Sequence, residues 1–296
     1  MPVQLGINPL TWTNDDLPSL GGDTPLDVCL KEGKQAGFAG FELGHKFPRE
    51  ADALNTVLAA HDLKAVSGWY SLMLLERSAE EEIEAMQSHL ELLRDSGCKV
   101  MVCCEVTSCV HGDQSTPLSL RRPFPAEKWD DYAEKLDVVA AYALKHGVRL
   151  AYHHHMGTVI QTEDEIDELM RRTSSDLGLL LDSGHCLLAG GNPVAVAKRW
   201  SNRICHVHCK DIRKNVMVDA KNRNLSFLNA VLNGVFTVPG DGCVDYPAIF
   251  AVLKEINYDG WLVVEAEQDP SVANPLAYAS LGHRNLQTMA TEAGLM

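Results

Sequence analysis

Six of the chain's twelve histidines fall in three short windows, Tyr152-His153-His154-His155, Asp182-Ser183-Gly184-His185 and His206-Val207-His208, each set against a run of apolar, strand-like residues. A further acidic residue, Glu265, ends the run Trp261-Leu262-Val263-Val264. Imidazole is the commonest protein ligand for divalent transition metals, and side chains at the ends of several strands can converge on one point while remaining far apart in sequence. A mixed set of imidazole and carboxylate with open positions suits Mn, Co, Fe or Zn.

Strand geometry sorts these residues. Side chains alternate along a strand, so His153 and His155 share one face and His154 points the other way. The same rule pairs His206 with His208, and the member nearer the strand's end, His208, reaches a mouth site better. Asp182 directly follows the run of strand six and offers an oxygen, with His185 one turn further out. Glu265 supplies a second carboxylate. On strand five, His153 and His155 remain alternatives as ligands. The bland reading of each residue is structural: Asp182 or Glu265 as a helix cap or ion pair, and His154 as packing.

The same alternation nominates acid–base groups. Lys210 lies one residue beyond His208 and shares its face, so it is a candidate base or oxyanion partner, against a simpler reading as an ion pair with Asp211 or Glu265. Glu105, ending strand four, is the alternative base. His185 is a candidate proton donor, and Glu267 shares the face of Glu265. Glu42 reads as a support for the ligands or a core ion pair. Trp12, Trp69 and Tyr70 could line a ring-shaped substrate, although aromatic packing is the default. Asn8, Arg213, Gln268 and His155 complete the substrate-binding candidates.

The elements that must position these groups alternate regularly. Strand-like runs occur at Val3-Gln4-Leu5-Gly6-Ile7, Phe41-Glu42-Leu43, Ala65-Val66-Ser67-Gly68-Trp69, Val100-Met101-Val102-Cys103-Cys104, Arg149-Leu150-Ala151-Tyr152-His153, Leu177-Gly178-Leu179-Leu180-Leu181 and Ile204-Cys205-His206-Val207-His208. The eighth ends at Glu265. Helical segments are expected over about 25–37, 51–61, 125–146 and 193–200. Two more open at Ser78-Ala79-Glu80-Glu81 and Thr162-Glu163-Asp164-Glu165, both capping boxes in form. Parallel neighbours need crossovers, and helical crossovers cover the sheet's outside, so the pattern predicts a single α/β domain spanning 1–296, a (β/α)8 TIM barrel. The joins from helix to strand are compact, but the segments 105–124 and 209–245 are long, which marks them as functional. In such barrels the active site forms at the C-terminal strand ends, where the candidate residues lie.

Composition narrows the partners. A formal charge of −14 disfavours nucleic acid, whose phosphates demand clustered Lys and Arg. No apolar stretch approaches the ~20 residues that cross a bilayer, and the opening Met-Pro-Val-Gln-Leu-Gly lacks a signal peptide's basic segment and apolar core. A cytoplasmic protein without a membrane partner is therefore expected. The nine cysteines, with no Cys-x-x-Cys pair, read as reduced, several of them in the core. No Gly-x-Gly-x-x-Gly follows a strand, so neither nicotinamide nor flavin is expected.

Taken in order, several stretches resemble the xylose-isomerase-like barrel superfamily and, within it, the inosose dehydratases of inositol catabolism. They are Gly6-Ile7-Asn8-Pro9-Leu10-Thr11-Trp12, Tyr152-His153-His154-His155-Met156-Gly157-Thr158, Leu181-Asp182-Ser183-Gly184-His185, His206-Val207-His208-Cys209-Lys210-Asp211, the run from Thr237 to Asp245, and Gly260 to Asp269. The resemblance covers essentially the whole chain. It implies a hydro-lyase that removes water from 2-keto-myo-inositol, a cyclic polyol ketone. It also implies a divalent metal, Mn²⁺ or Co²⁺ first, with glutathione as a further candidate cofactor, and association into homo-oligomers. Many epimerases of the superfamily hold their metal on Glu, Asp, His and Glu from strands five to eight, corresponding here to His153, Asp182, His208 and Glu265. The departure is His153 in place of a carboxylate, with His155 its competitor. A metal-dependent sugar isomerase or epimerase is the alternative reading.

Overall fold

The computed structural model describes residues 3–296. Its first strands and helices alternate as β1 (Gln4–Ile7), α1 (Leu26–Ala36), β2 (Gly40–Leu43), α2 (Ala51–Ala59), β3 (Lys64–Leu72), α3 (Ala79–Asp95) and β4 (Val100–Glu105). The chain continues through α4 (Trp129–Lys145), β5 (Arg149–His153), α5 (Glu163–Arg172), β6 (Gly178–Asp182), α6 (Ser183–Leu188), α7 (Pro193–Arg199) and β7 (Ile204–Cys209). It ends with β8 (Asp211–Ile212), α8 (Lys214–Asn222), α9 (Phe227–Leu232), β9 (Phe236–Thr237), α10 (Tyr246–Glu255), β10 (Trp261–Val264) and α11 (Pro275–Glu292).

Eight parallel strands close into a barrel, with β10 bonded to both β1 and β7, as the alternation of apolar runs and amphipathic helices predicts. Both capping boxes form: Ser78 and Glu81 exchange side-chain and backbone bonds at the start of α3, and Thr162 and Glu165 do so at α5, each satisfying two otherwise free N–H donors. Two expectations need adjustment. The helix expected from about 125 begins as a 3₁₀ turn, Ala126–Lys128, and becomes α-helical only at Trp129. The long 209–245 segment contains structure of its own, because β8 and β9 pair antiparallel and bracket α8 and α9. Phe227, Val231, Val235 and Phe236 bury a separate small core there, and Phe227 packs against His155 and His185.

The main core lies between the strands' outer faces and the helices. Inside the barrel, Val102, Ala151 and Leu180 pack together. Alternation therefore carries His153 and Asp182, two residues beyond Ala151 and Leu180, inward at the C-terminal end.

Candidate metal centre and active site

One ligand atom from each of His153, Asp182, His208 and Glu265 can be chosen so that all lie within 4.8 Å of one another. The four side chains come from β5, the end of β6, β7 and the residue after β10. All four are buried.

How they face one another is informative. His208 Nε2 lies 3.1 Å from the Glu42 carboxylate, which fixes that nitrogen as the proton-bearing one and turns Nδ1 toward the centre. Nδ1 is 3.4 Å from Asp182 Oδ2 and close against Glu265 Oε2, yet it makes a hydrogen bond to neither. His153 Nε2 lies 3.6 Å from Asp182 Oδ2, and neither of its ring nitrogens has a hydrogen-bond partner among the described residues. Buried polar atoms without partners are costly, and here they converge from four strands on one point. Lone pairs of two imidazoles and two carboxylates aimed at common ground suit a divalent cation: the donors fit.

A second layer fixes this set. Burial alone would raise the Glu42 carboxyl, but the imidazoles of His208 and His206 outweigh it and hold Glu42 well below the ordinary carboxylate range. Glu42 Oε1 accepts from His206 Nε2 at 2.8 Å and from Ser67 Oγ at 2.5 Å, and Oε2 accepts from Asn8 Nδ2 at 2.8 Å. His206 is thus deeper than the ligands, as strand position predicts. His154 faces away, is fully buried, and its Nε2 accepts the Asp182 N–H at 3.3 Å, so it supports the backbone that presents a ligand. Asp182 Oδ1 accepts the His185 N–H at 2.7 Å and caps α6, which leaves only Oδ2 for the centre. The structural and ligand readings of Asp182 are therefore compatible.

Beside this centre lies a second cluster built around Lys210, which is fully buried. Its Nζ sits 2.7 Å from Glu265 Oε1, 2.6 Å from Glu267 Oε1 and 3.0 Å from His185 Nε2. Gly184 makes room for it: a Cβ there would lie 2.6 Å from the Lys210 stem. Burial would lower the Lys210 ammonium's pKa, but Glu265 and Glu267 outweigh it and raise it, so Lys210 is held protonated and is not a resting base. Its ion pair is with Glu265 and Glu267 rather than with Asp211. Burial and the neighbouring Glu265 push the Glu267 carboxyl up to about 7 against the pull of Lys210, while His208 and Lys210 overcome burial to hold Glu265 at about 2. His185 Nδ1 lies 3.1 Å from the Met156 backbone N, and its Nε2 lies 3.0 Å from Lys210 Nζ.

The centre opens into a cavity of about 100 Å³. His153, His155, His208, Glu265, Glu267 and Trp69 are among its walls. His155 donates from Nδ1 to the Met156 carbonyl at 2.8 Å, which keeps its Nε2 unprotonated in the neutral ring. This separates the strand-five alternatives: His153 joins the four-residue cluster, whereas His155 groups with His185 and Glu267. Trp69 stands edge-on to both rings, 5.8 Å from His153 and 5.7 Å from His155.

Several candidates lie elsewhere. Glu105 sits on the outward face of β4, and its two oxygens accept from Leu74 N at 2.8 Å and Thr107 N at 3.0 Å, so it braces loops and does not line the cavity. Trp12 is core: it packs on Phe41 with ring centroids 5.7 Å apart and donates its indole N–H to Glu32. Arg213 is committed to the Gly234 and Phe236 carbonyls, Thr237 and Asp241, where it ties the β8–β9 insertion together. Gln268 is buried outside the cavity's walls. Tyr70 donates to Glu82 behind β3. Asn8 lines the cavity, but its amide is spent on Glu42 and Leu10 N. His185 and Lys210 lie behind the wall, beside Glu267.

The cavity also has walls that strand alternation does not reveal: Asp15, Asp16 and His111 come from loops after β1 and β4. The signal for His111 was the length of the segment after β4. For Asp15 and Asp16 it was only their position after the first strand.

Comparison with known proteins agrees with this geometry. A family described as xylose isomerase-like TIM barrel matches residues 30–288. The chain is 50% identical over 294 residues to the rhizopine catabolism protein MocC of Rhizobium meliloti, covering 99% of this chain and 90% of that one. It is 45% identical over 279 residues to an inosose dehydratase of Clostridium perfringens, covering 94% of each. An inosose dehydratase of Bacillus cereus is 42% identical over 97% of both chains. Among solved structures, the probable 3-DHS dehydratase AsbF of Bacillus anthracis superposes with a TM-score of 0.70 at 15% identity, covering 96% of this chain and 99% of that one. L-ribulose 3-epimerase superposes at 0.67 with 17% identity, covering 98% and 95%. These two likenesses are of fold alone.

Proposed function

The chain belongs to the xylose isomerase-like TIM barrel family, and from that membership we propose that it is an inosose dehydratase, a hydro-lyase that removes water from 2-keto-myo-inositol to give a trihydroxycyclohexane-1,2-dione. The observation that carries this reading is a centre of buried donors without partners in a chain 42–45% identical over nearly its full length to proteins named inosose dehydratase.

In this reading His153, Asp182, His208 and Glu265 hold one divalent metal, with Mn²⁺ or Co²⁺ as the ions of choice. When bound, such an ion draws electron density from a ketone oxygen and so acidifies the neighbouring C–H. Glu42 and His206 keep His208 turned toward the centre. Trp69 and His155 flank the ring of the substrate, and Glu267 meets the hydroxyl that departs. The Lys210–Glu267 pair carries the proton for that hydroxyl, and His185 stands behind the pair. Glutathione is a candidate additional cofactor by resemblance only.

The whole chain acts as one catalytic unit, in the cytoplasm and as a homo-oligomer. No helix among the described residues is long and apolar enough to cross a membrane. The acidic net charge of −14 argues against a nucleic-acid substrate.

The test is incubation of the purified protein with 2-keto-myo-inositol while diketone absorbance is followed. Accumulating diketone is the expected result. Altered ring stereochemistry without diketone would instead identify an epimerase. A second reading comes from the 50% identical rhizopine catabolism protein, that the same dehydration serves rhizopine breakdown. A deletion strain that fails to grow on rhizopine but still grows on myo-inositol would favour it.

A further inference from the structure

The roles above supply a proton to the departing hydroxyl but leave unassigned the group that takes the C–H proton. Glu105 is outside the cavity, Lys210 is held protonated, and Glu265 faces the centre. The cavity wall offers another carboxylate, Asp16, in the loop after β1.

Asp16 and its neighbour Asp15 differ sharply. Asp15 is engaged, with Oδ1 2.6 Å from His45 Nδ1 and Oδ2 accepting the His45 N–H at 3.2 Å. The Asp16 carboxylate has no hydrogen bond among the described residues, and its one charged contact is His111 Nε2 at 3.6 Å. It is nonetheless well placed. The buried side chain of Asn14 accepts from Asp16 N at 2.9 Å and Leu17 N at 2.7 Å, which fixes the turn that presents it.

His111 is equally fixed, from the opposite side. Val110 N donates to the Gly157 carbonyl at 2.8 Å. Gly157 has φ +81°, and a Cβ there would lie 2.9 Å from His111 N. The two backbones therefore touch where only glycine fits. The His111 ring stands 5.0 Å from that of His155, and its Nδ1 is buried with no partner among the described residues. Two separate loops thus converge on the cavity to place an uncommitted carboxylate beside an imidazole.

We propose that Asp16 is the catalytic base that removes the C–H proton next to the substrate ketone, and that His111 is the positioning residue that holds its carboxylate. This rests on the dehydratase reading. In the step, an Asp16 oxygen reversibly takes the proton, the C–H bonding pair becomes a double bond to the ketone carbon and the carbonyl π pair moves onto the ketone oxygen. That pair then returns to reform the ketone, and the double bond shifts to the next carbon. The C–O bond one carbon further on breaks with its pair on oxygen, and that oxygen accepts the proton of the Lys210–Glu267 pair and leaves as water. Asp16 returns its proton to solvent at the cavity mouth, and Lys210–Glu267 regains one. Burial, then the Asp15 charge, push the Asp16 carboxyl up to about 6, which makes it a stronger base than an ordinary carboxylate while leaving it mostly ionised at neutral pH.

The experiment measures kcat, KM, bound metal and solvent-deuterium exchange of the substrate C–H for wild type, Asp16→Asn and His111→Gln. Asp16→Asn should lower kcat by about 10²–10⁴-fold and abolish exchange, with bound metal unchanged. His111→Gln should lower kcat less than Asp16→Asn does, with KM near that of wild type and bound metal unchanged. An Asp16→Asn enzyme that keeps kcat within about threefold of wild type, retains exchange or loses its metal would overturn the assignment while leaving the dehydratase reading intact. A metal-loaded wild type that forms no diketone would overturn both.

Discussion

Glu42 shows how much of the site depends on a side chain that never needs to touch substrate. It bonds His208, His206, Ser67 and Asn8 at once, and through His208 Nε2 it decides which ring nitrogen faces the centre. Outer partners of metal-bound histidines typically contribute about 10–100-fold in metal affinity. Glu42→Gln should therefore weaken metal binding by about that factor in competition with a chelator, in a protein that still folds. Unchanged affinity would mean that His208 is oriented by packing alone. At this scale the sequence was informative where strand parity applied. It separated His154 from His153, placed His206 below His208, and put Lys210 and Glu267 on the inward side. It failed for Glu105, although the same parity shows the reason: Val102 faces inward, so the residue three further on faces out. It failed for Trp12 and Arg213 because a large aromatic or a guanidinium fits a core or a loop brace as readily as a cavity wall.

At the scale of elements, regular pieces were legible and irregular ones were not. Capping boxes at Ser78 and Thr162 and the apolar runs of β4 to β7 have local causes, so short windows of sequence suffice. The pair β8–β9 is two residues per strand and depends on contacts with its own small core, which no local period reports. Asp16 and His111 belong to this irregular part, and their convergence is a product of tertiary structure. Gly157 is its most exposed dependency. Gly157→Ala meets both a left-handed φ and the backbone of His111, so it should displace the loop after β4. The expected outcome is a kcat reduced in the direction of the His111→Gln enzyme, with bound metal unchanged. A Gly157→Ala enzyme with wild-type kcat would show that the loop does not need that contact.

For the molecule as a whole, the buried histidines couple stability to pH. His89, between β3 and the helix α3 that carries it, is pushed down to about 4 by burial and then by Arg49, from an ordinary value of 6.5. Below 6.5 the unfolded chain binds a proton that the native state refuses until about 4, so this group's contribution is intact at neutral pH and is lost as pH falls through that window. Buried carboxylates such as Glu105, raised to about 7 by burial, act in the opposite sense, so the difference between two proteins is the quantity to measure. In urea unfolding, wild type should lose stability relative to His89→Gln between pH 7 and pH 5. A constant difference would contradict the burial argument.

The central claim joins one metal centre to one elimination, and metal content and 2-keto-myo-inositol turnover determined on the same preparation test it most directly. Chelator-stripped protein should form no diketone, and activity should return in step with added Mn²⁺ or Co²⁺ up to one ion per chain, with Asp182→Asn failing to recover. Full diketone formation by protein shown to be free of metal would contradict the account.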